Sequence, residues 1–250
     1  MPSRYLMLML PLCLFPLAAG AQDLATTCHA TSSYDLTVAS NQLRFDRPQP
    51  LPRTVELHDG SLRADGAAVP LRAEDQDRLA LFERELRALV PRVKALASQG
   101  VDQLAAAMHD EGARLSLSPD TRTELDSRIA RRAAELKQRI AQTNSTHDWQ
   151  GNLADEYANQ LASDLVPLLA NDLGQQALQA AMSGDLQAAA NLRDTAADLA
   201  TQLRPRLEQR LAGLAPQVRA LCPSVQRLAD LQQGVRGPDG QLLNLVVVGQ

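Results

Sequence analysis

The chain has 250 residues, 45% of them hydrophobic but only 3% aromatic, with 25 Lys and Arg against 29 Asp and Glu. That acidic balance argues against nucleic acid and against an anionic membrane surface as electrostatic partners. Apolar content carried by Leu, Ala and Val favours helix–helix packing over ring-lined ligand pockets, in one large domain or a small domain with an extended helical one.

Arg4 precedes an apolar run from Tyr5 to Leu17, and Ala19-Gly20-Ala21 follow it. This is the pattern of a secretory signal over residues 1–21, cleaved before Gln22. The run is shorter than the roughly 20 residues a membrane span needs, and no later segment approaches that length, so no transmembrane anchor is expected. Cleavage removes Cys13 and leaves Cys28 and Cys222 in an oxidising compartment. They are expected to form a disulfide, the alternative being two unpaired buried thiols. A bridge across so long a loop contributes up to about 5 kcal/mol in the chain-entropy account. Ala25-Thr26-Thr27, ahead of Cys28, lacks the leucine and small residue of a lipid-acceptor site.

Over residues 22–73 the pattern is that of strands. Tyr34, Leu36 and Val38, then Leu43 and Phe45, Val55 and Leu57, Leu62, and Val69 and Leu71 alternate with polar neighbours. Ser40-Asn41, Pro48 to Pro52, Asp59-Gly60 and Asp65-Gly66 punctuate them, and the Asp-Gly pairs suit type I′ hairpins, whose two central residues both need φ > 0. Four or five short antiparallel strands are predicted, with an apolar face that must pack on the helices behind them.

From residue 74 to 234 the period is helical. Leu79, Phe82, Leu86, Leu89, Val93 and Leu96 form one stripe, with Pro91 either kinking the helix or starting a second one. Gly100, Gly112 and Leu115 to Pro119 are expected to end the segment. Ser118-Pro119-Asp120 reads as a helix start, and Leu125, Ile129, Leu136 and Ile140 give the next helix a face as far as about Gln142. After a polar break from Thr143 to Asn152, a third helix is predicted from Leu153 to Met182, stopped by Ser183-Gly184-Asp185. A last long helical region carries one leucine and valine seam from Leu199 to Leu228. The tail over 235–250 is β-prone from Leu242 to Val248 and either docks on an edge of the N-terminal sheet or hangs free; docking is preferred because an exposed apolar strand invites aggregation. A Leu-x-Pro pattern recurs at Pro91, Pro167, Pro205, Pro216 and Pro223 without a fixed period. It reads as prolines in helices that wrap a core rather than as hinges.

No zinc-protease, phosphate-loop, dinucleotide-binding, Cys-x-x-Cys or nucleophile-elbow spacing occurs. His29, His58, His109 and His147 are scattered, so no metal and no cofactor is predicted. The strongest candidate binding segment is His147, Asp148 and Trp149, where the single Trp lies beside a possible base and its orienting carboxylate between two helices. Asp155, Glu156, Asp164 and Asp172 read as a solvated helix face.

An exported chain with Cys28 just inside its mature terminus has a strand-rich start that closes with Asp65-Gly66-Ala67-Ala68-Val69-Pro70-Leu71. The segment Asp75 to Val93 follows, and the helical part ends in Ala220-Leu221-Cys222-Pro223-Ser224-Val225-Gln226-Arg227-Leu228. In that order of features the chain resembles the YggN-like family of Gram-negative periplasmic proteins, whose function is unknown. The resemblance covers 28 to about 233, with Arg236 to Gln250 extending beyond it. It implies a periplasmic location and one cysteine near each end, and it brings no activity, cofactor or catalytic residue.

The sequence therefore predicts an α+β protein, mainly α: a small N-terminal antiparallel β-meander, then long amphipathic helices, tied by Cys28 and Cys222. It favours a non-enzymatic binding or interaction protein of the cell envelope, whose helical seams self-associate or hold a protein or apolar ligand. The alternative is an envelope hydrolase with a site around His147.

Overall fold

The structure, a computed structural model, describes residues 24–149 and 153–249. The predicted signal segment lies outside them. A short helix α1 (Leu24–Cys28) and strand β1 (Ala30–Thr31) lead into β2 (Asp35–Val38), β3 (Leu43–Asp46), β4 (Thr54–His58), β5 (Ser61–Ala64) and β6 (Ala67–Val69). The last five form an antiparallel sheet in sequence order, as the alternation predicted. Its register aligns apolar residues into rows. Val38, Leu43, Leu57, Leu62 and Val69 run across all five strands, and Leu36, Phe45, Val55 and Ala64 across four. The Asp-Gly turns have the required backbone: Asp59 and Gly60 at φ 46° and 77°, Asp65 and Gly66 at 47° and 82°.

The buried face of the sheet meets α2 (Ala73–Arg114), a single helix of 42 residues, about 63 Å long at the α-helical rise. It runs through Pro91, Gly100 and Gly112, where the sequence suggested a break or an end. The reason is tertiary. Gly100 faces Leu214, 3.3 Å from where a Cβ would lie, and Gly112 faces Leu125 at 2.7 Å, so both glycines serve close helix approaches rather than termini. The helix ends at Leu115, and α3 (Pro119–Gln142) begins on the predicted Ser118 cap, whose Oγ accepts from the Thr121 N–H.

A 3₁₀ turn (His147–Trp149) follows, then α4 (Leu153–Met182) and α5 (Leu186–Ala212), an antiparallel hairpin capped at its turn by Asp185, which accepts from the Ala188 N–H. The seam expected in one helical region from Leu199 to Leu228 is divided among α5, α6 (Ala215–Arg219) and α7 (Cys222–Gln232). Pro216 and Pro223 sit in the first turns of the two new helices, where the missing N–H breaks no helical bond. Pro91, Pro167 and Pro205 lie within continuous helices.

The tail docks, though not on the five-stranded sheet. Its strand β7 (Val247–Val248) pairs antiparallel with β1 as a separate two-stranded sheet. Two apolar cores result. One joins the sheet, the first half of α2, α7 and the tail around Phe82, Leu57, Leu228 and Leu245. The other joins the second half of α2 to α3 and α4 around Met108, Leu125, Ile129 and Leu169, with α5 packed against it.

Candidate functional site

The segment before the 3₁₀ turn closes one edge of the sheet. Val38 N–H donates to Asn144 O at 2.8 Å and Thr146 N–H to Leu36 O at 2.8 Å, while Thr146 Oγ1 accepts from Leu36 N–H at 2.8 Å. Thr37 and Ser145 pair as an antiparallel bridge. Edge strands with free backbone groups template unwanted pairing, so this cover has a structural purpose of its own. The His147 ring lies 3.2 Å from Asp35 Oδ2 on β2, and both His147 and Asp148 are exposed. Trp149 ends the turn; Gln150 to Asn152 lie outside the described residues.

His58 and His109 have separate partners. His58 bonds the Asn41 carbonyl and lies 3.6 Å from Asp59, and His109 lies 2.7 Å from Asp126. Among the described residues no group of three His, Cys, Asp or Glu is placed to hold a metal ion.

Two of the carboxylates read as a solvated face are engaged with α3 or its cap. Asp172 is buried and receives the Ser118 N–H and hydroxyl, the Thr121 hydroxyl and the Gln176 amide, at 3.1, 2.6, 2.9 and 2.7 Å. Burial pushes its carboxyl up, but these hydrogen bonds together outweigh it and hold the group below the usual carboxylate range. Asp164 is half-buried and accepts from Arg132 Nε at 2.7 Å. These contacts fasten α4 to α3 as far along as Asp172, and sequence spacing cannot reveal them because the partners lie some fifty residues upstream or on another helix.

Anchored there, the hairpin leaves its far end uncovered. No residue from Gly174 to Leu199 is buried. The facing positions of α4 and α5 in this stretch are mostly alanine, and three large apolar side chains point to solvent: Leu178 at 63%, Met182 at 81% and Leu186 at 72% exposure. Leu178 and Met182 are one helical turn apart on the same face, and Leu186 opens α5 just beyond the turn. From Leu173 to Leu192 the only ionisable residue is Asp185. Both helices and the turn are legible in the sequence but this surface is not, because apolar spacing alone does not say which seam stays unpaired.

Cys28 and Cys222 form the expected disulfide, joining α1 to the start of α7 across 194 residues. Among the described residues no helix is long and apolar enough to cross a membrane. No curated protein and no solved structure matches the chain. A family model described as a protein of unknown function, DUF2884, matches residues 28–248. That span agrees with the resemblance to the YggN-like family and extends it: the tail beyond Arg236 falls inside the family, as Leu243 and Leu245 in the first core require. The chain belongs to this family, DUF2884.

Proposed function

We propose that the protein is exported on a signal cleaved before Gln22, resides in the periplasm, and acts there as a non-enzymatic binding protein of the cell envelope. The free end of α4–α5 is its contact surface for a protein or an apolar ligand. The observation that carries this reading is the exposure of Leu178, Met182 and Leu186 together on one projecting hairpin. Monomeric proteins seldom leave large apolar side chains grouped in water, and such groups mark interaction sites. In this reading the loop at His147 completes the sheet rather than a catalytic centre, since its hydrogen bonds go to β2.

The test is native mass spectrometry of the protein purified from periplasm without reducing agent, with an aggregation assay on an unfolded outer-membrane protein. The expected outcome is an oxidised chain beginning at Gln22 that carries an apolar adduct or suppresses aggregation, and a Met182→Asp, Leu186→Asp variant that does neither. A wild-type chain that neither retains a ligand, protects the client nor self-associates overturns the binding role. A chain that keeps residues 1–21 in the cytoplasm overturns the location.

A further inference from the structure

We propose that the occupant of the free end of α4–α5 is the same end of a second copy of this chain, the two hairpins completing a four-helix bundle about a two-fold axis. This rests on the reading of that end as a binding surface and names what covers it. The first argument is architectural. Two helices packed side by side enclose no core, and from Gly174 to Asn191 neither helix has a buried residue or an apolar side chain packed against the second core. Two further helices of the same length and polarity are the smallest addition that would seal Leu178, Met182 and Leu186 from water, and a second hairpin supplies both.

The second argument is electrostatic. A two-fold interface sets each patch against its own image, so every charge on it faces a like charge. Between Leu173 and Leu192 the single ionisable group is Asp185, and its carboxylate is turned to the Ala188 N–H at the start of α5. The patch is therefore free of the repulsion that usually forbids self-pairing. By contrast α3 carries a charge at nearly every second position. The flanking charges also select against a lipid surface. Asp194 and Asp198 at the margin of the patch are ion-paired with Arg193 and Arg206, so no cationic patch draws this end to anionic headgroups.

The experiment is sedimentation equilibrium of the oxidised full-length mature chain from low to high micromolar concentration. Wild type is expected to move from monomer to dimer mass across that range. The variant Met182→Asp, Leu186→Asp, and separately Leu178→Asp, are expected to raise the dimer dissociation constant at least a hundredfold. Leu51→Asp, at an equally exposed leucine on the sheet side, is expected to leave it unchanged. Because all these side chains are exposed, helical circular dichroism should be the same in every variant. A wild-type chain that stays monomeric, or a dimer indifferent to the hairpin substitutions, overturns the proposal. A monomer that still protects an unfolded polypeptide, or sediments with neutral lipid vesicles, through Met182 and Leu186 overturns self-pairing while leaving the binding role standing. A monomer that does neither overturns both.

Discussion

Gly60 and Gly66 have nearly the same backbone and different surroundings, which separates two costs usually confounded. Both have positive φ, but a Cβ at Gly60 would lie 2.4 Å from the Gln76 carbonyl oxygen at the start of α2, whereas one at Gly66 meets nothing within 4 Å. Gly66→Ala is expected to lower stability by about 1 kcal/mol, the cost of a left-handed alanine. Gly60→Ala is expected to cost at least about twice that, because the hairpin must also retreat from the helix. Denaturant unfolding of both checks this, and equal losses would mean that the hairpin does not press on α2. Asp172 makes a pH prediction. Its carboxyl is held below its unfolded value, so the stability it contributes is present above that value and is lost as pH falls through the folded one. Asp172→Ala should destabilise by about 1–3 kcal/mol at neutral pH, since Ser118, Thr121 and Gln176 lose their acceptor. The gap to wild type should narrow in acid, and a gap that widens would reject the assignment.

At the scale of elements, one side chain supplies the polar contacts that join the tail to α7. Buried Gln232, in the last turn of α7, accepts from Leu245 N–H at 2.5 Å and from Val246 N–H at 3.2 Å, and donates to Val246 O. Gln232→Ala should speed amide exchange at Leu245 and Val246 well beyond its effect on the five-stranded sheet. Leu245→Ala should cost about 2–5 kcal/mol of global stability as a core truncation. Slow exchange in Gln232→Ala would show the tail fastened by apolar burial alone. Much of this architecture is legible in the sequence where local chemistry decides. The Asp-Gly turns, the Ser118 cap before Pro119, the Asp185 stop and the alternation of the strands each act within a few residues. What is hidden depends on distant partners. Gly112 looks like a helix end until Leu125 is placed against it, and Asp172 looks solvated until Ser118 arrives from another helix. The His147 segment resembles a site because its neighbour β2 lies more than a hundred residues earlier.

At the scale of the molecule, α2 is common to both cores, with Leu79 to Leu89 in one and Met108 in the other. The second core lies within the loop closed by Cys28 and Cys222, and the first straddles its closing point, with Leu228 and Leu245 beyond it. Replacing both cysteines with serine is therefore expected to lower the melting temperature of the whole chain rather than fray one end. The chain-entropy account puts the loss at up to about 5 kcal/mol. Calorimetry of the oxidised chain and the variant decides it, and an unchanged transition would place the covalent tie outside the cooperative unit. The pairing of β1 with β7 has a consequence in time. A polypeptide emerges from its N-terminus, so Cys28 appears 194 residues before its partner, and Ala30 and Thr31 wait longer still for Val248 and Val247. Leu243 and Leu245, both fully buried in the first core, are also among the last residues made. An interrupted product thus remains open at its starting end, exposed to proteases, and only a chain extended to β7 can lock shut.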